Sequence, residues 1–278
     1  MGKLDGKVAL ITGAARGQGR SHALTLAREG ADIVAVDLVG QIDSVPYPMS
    51  RPDDLSETVK LVEELDRRIL AREGDVRNPD SMNTLVADAI DQFGHIDIVC
   101  ANAGIAGLGD ALSMTPKQWT DMVDVNLSGV WFSIQPALKP MIERGAGGSI
   151  IITSSLYGVK APPGNLAHYT AAKHGVVGLM RALSVELAPH FIRVNTINPT
   201  FVQTDMMQND SMISVFVPDK DNPTQEEFEA AMQQINVMPV PWMPPADVSK
   251  TVLYLASDDS RFVTGTTALI DLGARQIS

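Results

Sequence analysis

The chain has 278 residues, 45% of them hydrophobic and 5% aromatic, with one cysteine and a formal net charge of −11. That acidity argues against a nucleic-acid binder, which needs clustered Lys and Arg to neutralise phosphates. Cys100 stands alone, so no intrachain disulfide can form, and no uncharged run approaches the roughly 20 residues of a membrane span. The opening MGKLDGKVALITG has no signal-peptide pattern before its first strand, so a soluble cytoplasmic protein is expected.

In chain order, short apolar runs alternate with helical stretches. KVALI, IVAVD, IDIVCA, SIIIT, RVNTIN and TALIDL are nearly continuously apolar, as strands buried on both faces should be. Helical spacing covers residues 18–28, 79–93, 119–142, 169–187 and 246–256, with Asn78 as a cap and Pro79 and Pro116 suited to first turns. The alternation predicts one α/β domain over residues 1–278. Its expected architecture is a Rossmann-type, doubly wound parallel sheet flanked by helices, with ligands at the carboxyl ends of the strands. Two stretches break the rhythm: a proline-rich insertion at about 39–54, after the second strand, and a methionine-rich segment at about 205–245. Long loops inside a compact domain are usually functional or mobile; surface decoration is the alternative for the first, and ordinary packing of a long surface excursion for the second. Methionines in the second stretch would give a substrate lid with an adaptable apolar lining.

The run TGAARGQG places Gly13, Gly17 and Gly19 between the first strand and the first helix. Gly13 suits a tight turn, Gly17 a close approach of backbone to a diphosphate, and Gly19 the packing of helix on strand. The helix start offers free N–H groups and a positive dipole end to an anion. Asp37 ends the second strand about twenty residues on, where a carboxylate accepts the ribose hydroxyls of an adenosine and repels a 2′-phosphate. It therefore argues for NAD over NADP, while Arg16 in the loop is the counter-argument. A purely structural glycine turn and a solvated strand-end aspartate are the competing readings.

Further on, HYTAAKHGVVGLM sets Tyr169 and Lys173 four apart, on one face of a helix. A free tyrosine has a pKa of about 10, and an adjacent ammonium favours its phenolate. Tyr169 is then a proton acceptor for an alcohol or a donor to a carbonyl. IIITSSLYG delivers Ser154 and Ser155 at a strand end, where a hydroxyl can hold the substrate oxygen. A surface ion-pair helix is the competing reading of the Tyr–Lys spacing. His22, His168 and His174 lack the spacing of metal ligands, so no metal is expected.

Taken together, these motifs resemble the short-chain dehydrogenase/reductase family over essentially the whole chain. The carriers are TGAARGQG, GDV (Asp75, Val76), ANAG (Asn102, Ala103, Gly104), the asparagine of VDVNLSGVW (Asn126), TSSLYG, YTAAK and NPTFVQTDM. The resemblance implies that Tyr169 is the acid/base and that Lys173 binds the nicotinamide ribose and lowers the tyrosine pKa. It further implies that the serine orients the substrate oxygen and that Asn126 positions a water linking the lysine to solvent. It makes Gly13, Arg16, Gly17, Gln18, Gly19, Asp37, Leu38, Asp75, Val76, Asn102, Ala103, Gly104, Pro199, Thr200, Val202 and Thr204 cofactor contacts, beside Tyr169 and Lys173. Family spacing before Gly158 selects Ser155 over Ser154, and the stretch to Tyr169 is one residue longer than usual, so it should bulge. Gln18 replaces the usual isoleucine or leucine, and Thr200 stands where glycine is commoner.

GAARGQGRSHA, AVDLVGQIDSVPYP and ELDRRILAREGDVR resemble the actinobacterial mycofactocin-coupled, carveol dehydrogenase-like subgroup. That implies oxidation of a hydrophobic secondary alcohol to a ketone by tightly held NAD, re-oxidised by an external, mycofactocin-type redox carrier, in a homotetramer. An ordinary dehydrogenase with exchanging NAD(H) is the second reading, and a catalytically silent NAD-sensing protein the third. Such a sensor should have lost one of Ser155, Tyr169 or Lys173, and all three are present.

Overall fold

The computed structural model describes residues 2–277 apart from Pro163, Pro218 and Asp221. Seven parallel strands form one sheet: β1 (Val8–Thr12), β2 (Asp32–Asp37), β3 (Ile69–Glu73), β4 (Ile98–Ala101), β5 (Gly148–Thr153), β6 (Ile192–Pro199) and β7 (Thr267–Ile270), in the order β3-β2-β1-β4-β5-β6-β7. The helices are α1 (Gly17–Arg28), α2 (Pro52–Glu63), α3 (Pro79–Phe93), α4 (Pro116–Val123), α5 (Gly129–Arg144), α6 (Ala167–Glu186), α7 (Asp210–Phe216), α8 (Gln225–Gln233) and α9 (Pro245–Ala256). Strand order reverses between β1 and β4, the switch point where doubly wound sheets bind ligands.

Alternation along the strands builds two cores. Val8 and Leu10 face a cluster with α3, α5 and α6, while Ala9 and Ile11 face one with α1, α2 and α9. The same period of two splits Ile150 and Ile152 from Ile151 in β5. This is the layered α/β arrangement that the apolar runs predict.

Four elements were absent from the sequence reading: β3, α2, and the short α7 and α8 of the methionine-rich segment. β3 pairs only with β2, and Arg72 and Glu73 at its end are exposed, so this edge strand lacks an apolar run. α2 begins at Pro52 with Asp54 closing a capping box onto Arg51, so the insertion stops at Arg51 rather than at residue 54. The helix expected at 119–142 is longer, running from Pro116 to Arg144 through a π-helical turn at Asp124–Ser128. Such turns are concentrated at functional sites, and Asn126 sits in this one.

Neither irregular stretch is surface decoration. Ile42, Val45 and Tyr47 of the insertion are buried in the α3–α5–α6 core. Gln41 staples the loop by donating from Nε2 to the carbonyls of Ile42, Val45 and Tyr47, while its Oε1 accepts the Met49 N–H. In the methionine-rich segment, Phe228 and Met232 are fully buried and pack with Phe201, Phe216 and Trp242 in a third, separate cluster. Phe201 and Phe216 meet edge to face at 5.5 Å.

Because that cluster is independent of the sheet, Phe228→Ala should loosen the lid without unfolding the domain. Truncating a buried Phe costs about 3–5 kcal/mol, here taken from local stability. Hydrogen exchange should rise sharply over residues 205–243 while the main unfolding transition stays within a few degrees. A matching collapse of the whole transition would show that the lid and sheet unfold as one unit.

Candidate active site

The glycine loop is shaped by contact rather than by composition alone. Gly13 and Gly17 have φ of +68° and +54°, and a Cβ on Gly19 would lie 1.9 Å from the Gly13 carbonyl oxygen. α1 therefore starts hard against the loop, with its N-terminus open to a cleft of about 930 Å³. Gly13, Arg16–Gly19, Asp37, Leu38, Asp75, Val76, Asn102–Gly104 and Thr204 line that cleft. A second cavity of about 1060 Å³ adjoins it, lined by Asn126, Ser155, Tyr169, Lys173, Pro199, Thr200 and Val202 among others. Gln18, Asn102, Gly104, Ile105, Thr204 and Met206 line both. Every site residue expected from the sequence thus lies on one of two joined cavities at the carboxyl ends of the strands.

In the nucleotide-sized cleft, Asp37 takes the Ala15 N–H on Oδ2 at 2.9 Å and the Ser50 hydroxyl on Oδ1. It ties the glycine loop to the insertion and keeps lone pairs for further donors, since a carboxylate offers about four acceptor sites. Arg16 is not free to seek a 2′-phosphate. Its guanidinium donates to the Pro48 carbonyl at 2.6 Å and to Asp205 Oδ2 at 2.8 Å, bridging the insertion and the start of the lid. Asp75 is held bidentate by Arg77, with bonds of 2.9 and 2.7 Å to Oδ2, and its carboxyl sits below the usual range: burial raises it, but the Arg77 hydrogen bonds and charge outweigh that.

In the second cavity the two serines have different partners. Ser154 Oγ donates to the Lys173 carbonyl at 2.9 Å, so it is a structural tie. Ser155 Oγ accepts the Tyr157 N–H at 3.2 Å and lies beside Tyr169. Between Ser155 and Tyr169, Asn165 takes φ of +53° and its carbonyl accepts the Gly109 N–H at 2.9 Å. The Lys173 Nζ donates to the Thr153 carbonyl at 2.9 Å and lies 5.7 Å from the centre of the Tyr169 ring. Asn126 is fully engaged, donating to the Ile105 and Met122 carbonyls and accepting the Ile105 N–H on Oδ1. Its Oδ1 and the Lys173 Nζ both border Gly104.

The electrostatics differ from the expected lowering of the tyrosine pKa. Burial pushes Tyr169 above its ordinary value, only partly offset by the Ser155 hydrogen bond, and burial pulls Lys173 down to about 8. Desolvation of both groups outweighs their mutual help when no further positive charge is near. Sequence reasoning also missed Tyr157, Leu108, Leu156, Leu166 and Val215 on the cavity wall. Only LY in TSSLYG stood close to a recognised motif.

Residues 13–275 match a family model described as Enoyl-(Acyl carrier protein) reductase, adh_short_C2. The chain belongs to the short-chain dehydrogenase/reductase family. It is 46% identical over 274 residues to (-)-trans-carveol dehydrogenase of Rhodococcus erythropolis, covering 98% of this chain and 99% of that one. Among solved structures, carveol dehydrogenase from Mycobacterium avium in complex with NAD superposes with a TM-score of 0.97 at 47% identity, covering all of both chains. A short-chain dehydrogenase from Mycobacterium paratuberculosis bound to NAD gives 0.91 at 44%, over 99% of this chain and 100% of that one. The fold of this short-chain dehydrogenase/reductase is the Rossmann-type sheet expected from its sequence.

Lys173 gives the site a pH signature. Its folded pKa of about 8 lies below the unfolded value of about 10.5, so the unfolded state binds more protons between them. The penalty of burying the charge is present in full below pH 8 and is relieved as pH rises. The melting temperature of the nucleotide-free protein, measured relative to Lys173→Met, should therefore climb between about pH 8 and 9.5. A pH-independent difference between the two proteins would contradict that burial effect.

Proposed function

We propose that the protein oxidises an apolar secondary alcohol to its ketone with NAD that stays bound between turnovers. The observation that carries this reading is the gathering of buried Ser155 and Lys173 and part-buried Tyr169 on one cavity that opens onto the cleft of the glycine loop. Among the described residues lining that cavity, Lys173 is the only one with a formal charge. Leu108, Leu156, Leu166, Phe201, Met206, Met207, Met212 and Phe216 supply its apolar part, beside polar groups such as Tyr157 and Thr200. An anionic or cationic substrate would lose hydration there with only Lys173 to meet it, whereas a terpenoid alcohol of the carveol type would lose little. The similarity to two carveol dehydrogenases supports the same class.

The cofactor is NAD, which supplies the hydride acceptor. The residues present fit it: Asp37 closes the adenosine side to a 2′-phosphate, the glycine loop leaves room for a diphosphate, and Arg16 is occupied elsewhere. Ser155 donates to the substrate oxygen and Tyr169 takes its proton, with Lys173 alongside to favour the phenolate. The bound cofactor's positive charge would pull Tyr169 down from its raised value. Tyr169→Phe should lower turnover on the order of 10²-fold or more while NAD binding persists. Near-normal turnover would assign the proton transfer to another group.

Retention of the cofactor rests on the closure over the cleft. The insertion is anchored by Ser44 to Asp121 at 2.6 Å, by the Tyr47 hydroxyl accepting the Ala106 N–H at 3.2 Å, and by Ser50 to Asp37. Arg16 then fastens it to the lid through Asp205. A pre-organised cover acts mainly on the off-rate. Electrons would then leave through an external carrier of the mycofactocin type, as the subgroup resemblance implies. The purified protein should retain stoichiometric NAD or NADH through gel filtration and turn over with an artificial acceptor rather than with added NAD. Replacing residues 41–49 by a tight turn should restore exchange. Full-length protein that emerges free of nucleotide and cycles on added NAD would make it an ordinary dehydrogenase.

We further assign a cytoplasmic homotetramer. Among the described residues no helix is long and apolar enough to cross a membrane. Trp119 and Trp131 expose apolar surface on α4 and α5, as do Tyr254 on α9 and Leu269 on β7. Association through these elements would cover those side chains. Solution scattering should give the mass of four chains at micromolar concentration, and a monomer would refute the assignment.

A further inference from the structure

The opposite end of the sheet carries a third cavity, of about 1100 Å³, which the chemistry above leaves unused. Lys7, Asp97, Gly148 and Arg193 place it at the amino ends of β1, β4, β5 and β6. The loop between α9 and β7 closes another side with Asp258, Arg261 and Phe262. β5 and β6 reach the cavity around Tyr169 at their other ends, through Thr153 and Pro199. The two cavities thus lie on opposite edges of one sheet and share no residue.

Charge distinguishes this cavity. The chain carries a net −11, yet the cavity wall sets three cations, Lys7, Arg193 and Arg261, against two carboxylates. One carboxylate is already consumed. Asp97 Oδ1 accepts from Arg144 at 2.5 Å and Lys7 at 3.4 Å, while its Oδ2 accepts the Val8 N–H at 2.9 Å and meets His95 at 3.1 Å. Four partners fill the acceptor sites of a carboxylate. The guanidiniums are in the reverse position, since among the described residues neither forms an ion pair. Arg193 donates to the Ser260 hydroxyl at 2.8 Å and the Ser257 carbonyl at 3.3 Å, both neutral, and keeps further N–H groups. Burial pulls it below the ordinary arginine value, with nearby Asp258 only partly opposing that. The Arg261 guanidinium lies over the Phe262 ring, 5.0 Å from its centre. Phe262 and Phe191, which also line the cavity, are 89% and 83% exposed. Exposed rings beside uncompensated cations suit a ligand that is anionic at one end and apolar at the other.

We propose that this cavity is a second ligand site, for an aromatic or alicyclic monocarboxylate whose carboxylate meets Arg193 and Arg261 and whose ring covers Phe191 and Phe262. The planar guanidinium fork matches a planar carboxylate. Asp258 remains on the wall as a carboxylate with no hydrogen-bond partner among the described residues, so a dianion meets repulsion that a monoanion largely avoids. The site is independent of the reaction proposed above and of the cofactor.

Calorimetry on the full-length protein as purified tests the site with four probes: phenylacetate, acetate, phenylacetamide and phenyl phosphate. Phenylacetate should bind once per chain. Acetate lacks the ring and phenylacetamide the charge, so each should bind at least about 10-fold more weakly. Phenyl phosphate, largely a dianion at neutral pH, should bind no better than phenylacetate. Arg261→Gln should cost phenylacetate about 10-fold in affinity, and Phe191→Ser about 3- to 10-fold. Both side chains are at the surface, so the melting temperature should stay that of the unmodified protein. Phenylacetate affinity that is unchanged in Arg261→Gln would put the ligand elsewhere, beside Lys173, and overturn the site. Tighter binding of phenyl phosphate would overturn the monoanion, and no saturable binding of phenylacetate would overturn the proposal outright.

Discussion

The site hangs on one chain of hydrogen bonds running across the carboxyl ends of β1, β4 and β5. The Thr12 hydroxyl accepts the N–H groups of Asn102 and Ala103 at 3.0 and 2.9 Å, and Asn102 Nδ2 returns to the Thr12 carbonyl at 3.0 Å. Asn102 Oδ1 accepts the Thr153 hydroxyl, and the Thr153 carbonyl holds the Lys173 Nζ. The glycine loop begins at the residue after Thr12, and Ser155 lies two residues after Thr153. One polar relay therefore sets the distance between the nucleotide cleft and the catalytic groups. The β1–β4 pairing runs as far as Ile11 and Cys100, and beyond it side chains tie the two strand ends together.

Closure of the cleft is built on the same economy of few, well-placed bonds. The insertion buries Ile42, Val45 and Tyr47, which gives it an apolar anchor, and only then spans the opening. Burial pushes the Tyr47 phenol up to about 12, so its hydroxyl stays neutral beside Ala106 at any physiological pH. Among the described residues, Arg16 carries the ion pair from the glycine loop to the methionine-rich segment, with Asp205 largely exposed. Solvent screening keeps such a pair weak by itself. Its value lies in geometry, since it joins two segments that are each already ordered by their own packing. Breaking it releases neither segment from its core.

Burial also sets the chemical poise of the catalytic pair. Desolvation drives Tyr169 up and Lys173 down, both toward their neutral forms. A cationic ring brought alongside opposes that tendency for the tyrosine, which makes the acid/base group responsive to the presence and charge state of the cofactor.

Much of this was legible in the sequence because it depends on local spacing. Alternating apolar runs determine which strands are buried, a four-residue interval puts Tyr169 and Lys173 on one helix face, and three glycines mark a loop where backbone must pack closely. Tertiary structure decided what depends on partners distant in the chain. The edge strand β3 has no apolar signature because solvent covers one side, so only its pairing with β2 reveals it. Ser154 and Ser155 are equivalent as letters, and only the Lys173 carbonyl beside one and Tyr169 beside the other tells them apart. Arg16 reads as a free cation until Pro48 and Asp205, 32 and 189 residues away, are brought to it. The direction of the Tyr169 shift could not be read from its neighbour Lys173 alone, because desolvation is a property of the whole surrounding fold. Sequence determines which groups are present and which face they share; packing decides which of them are left without water, and therefore what they can do.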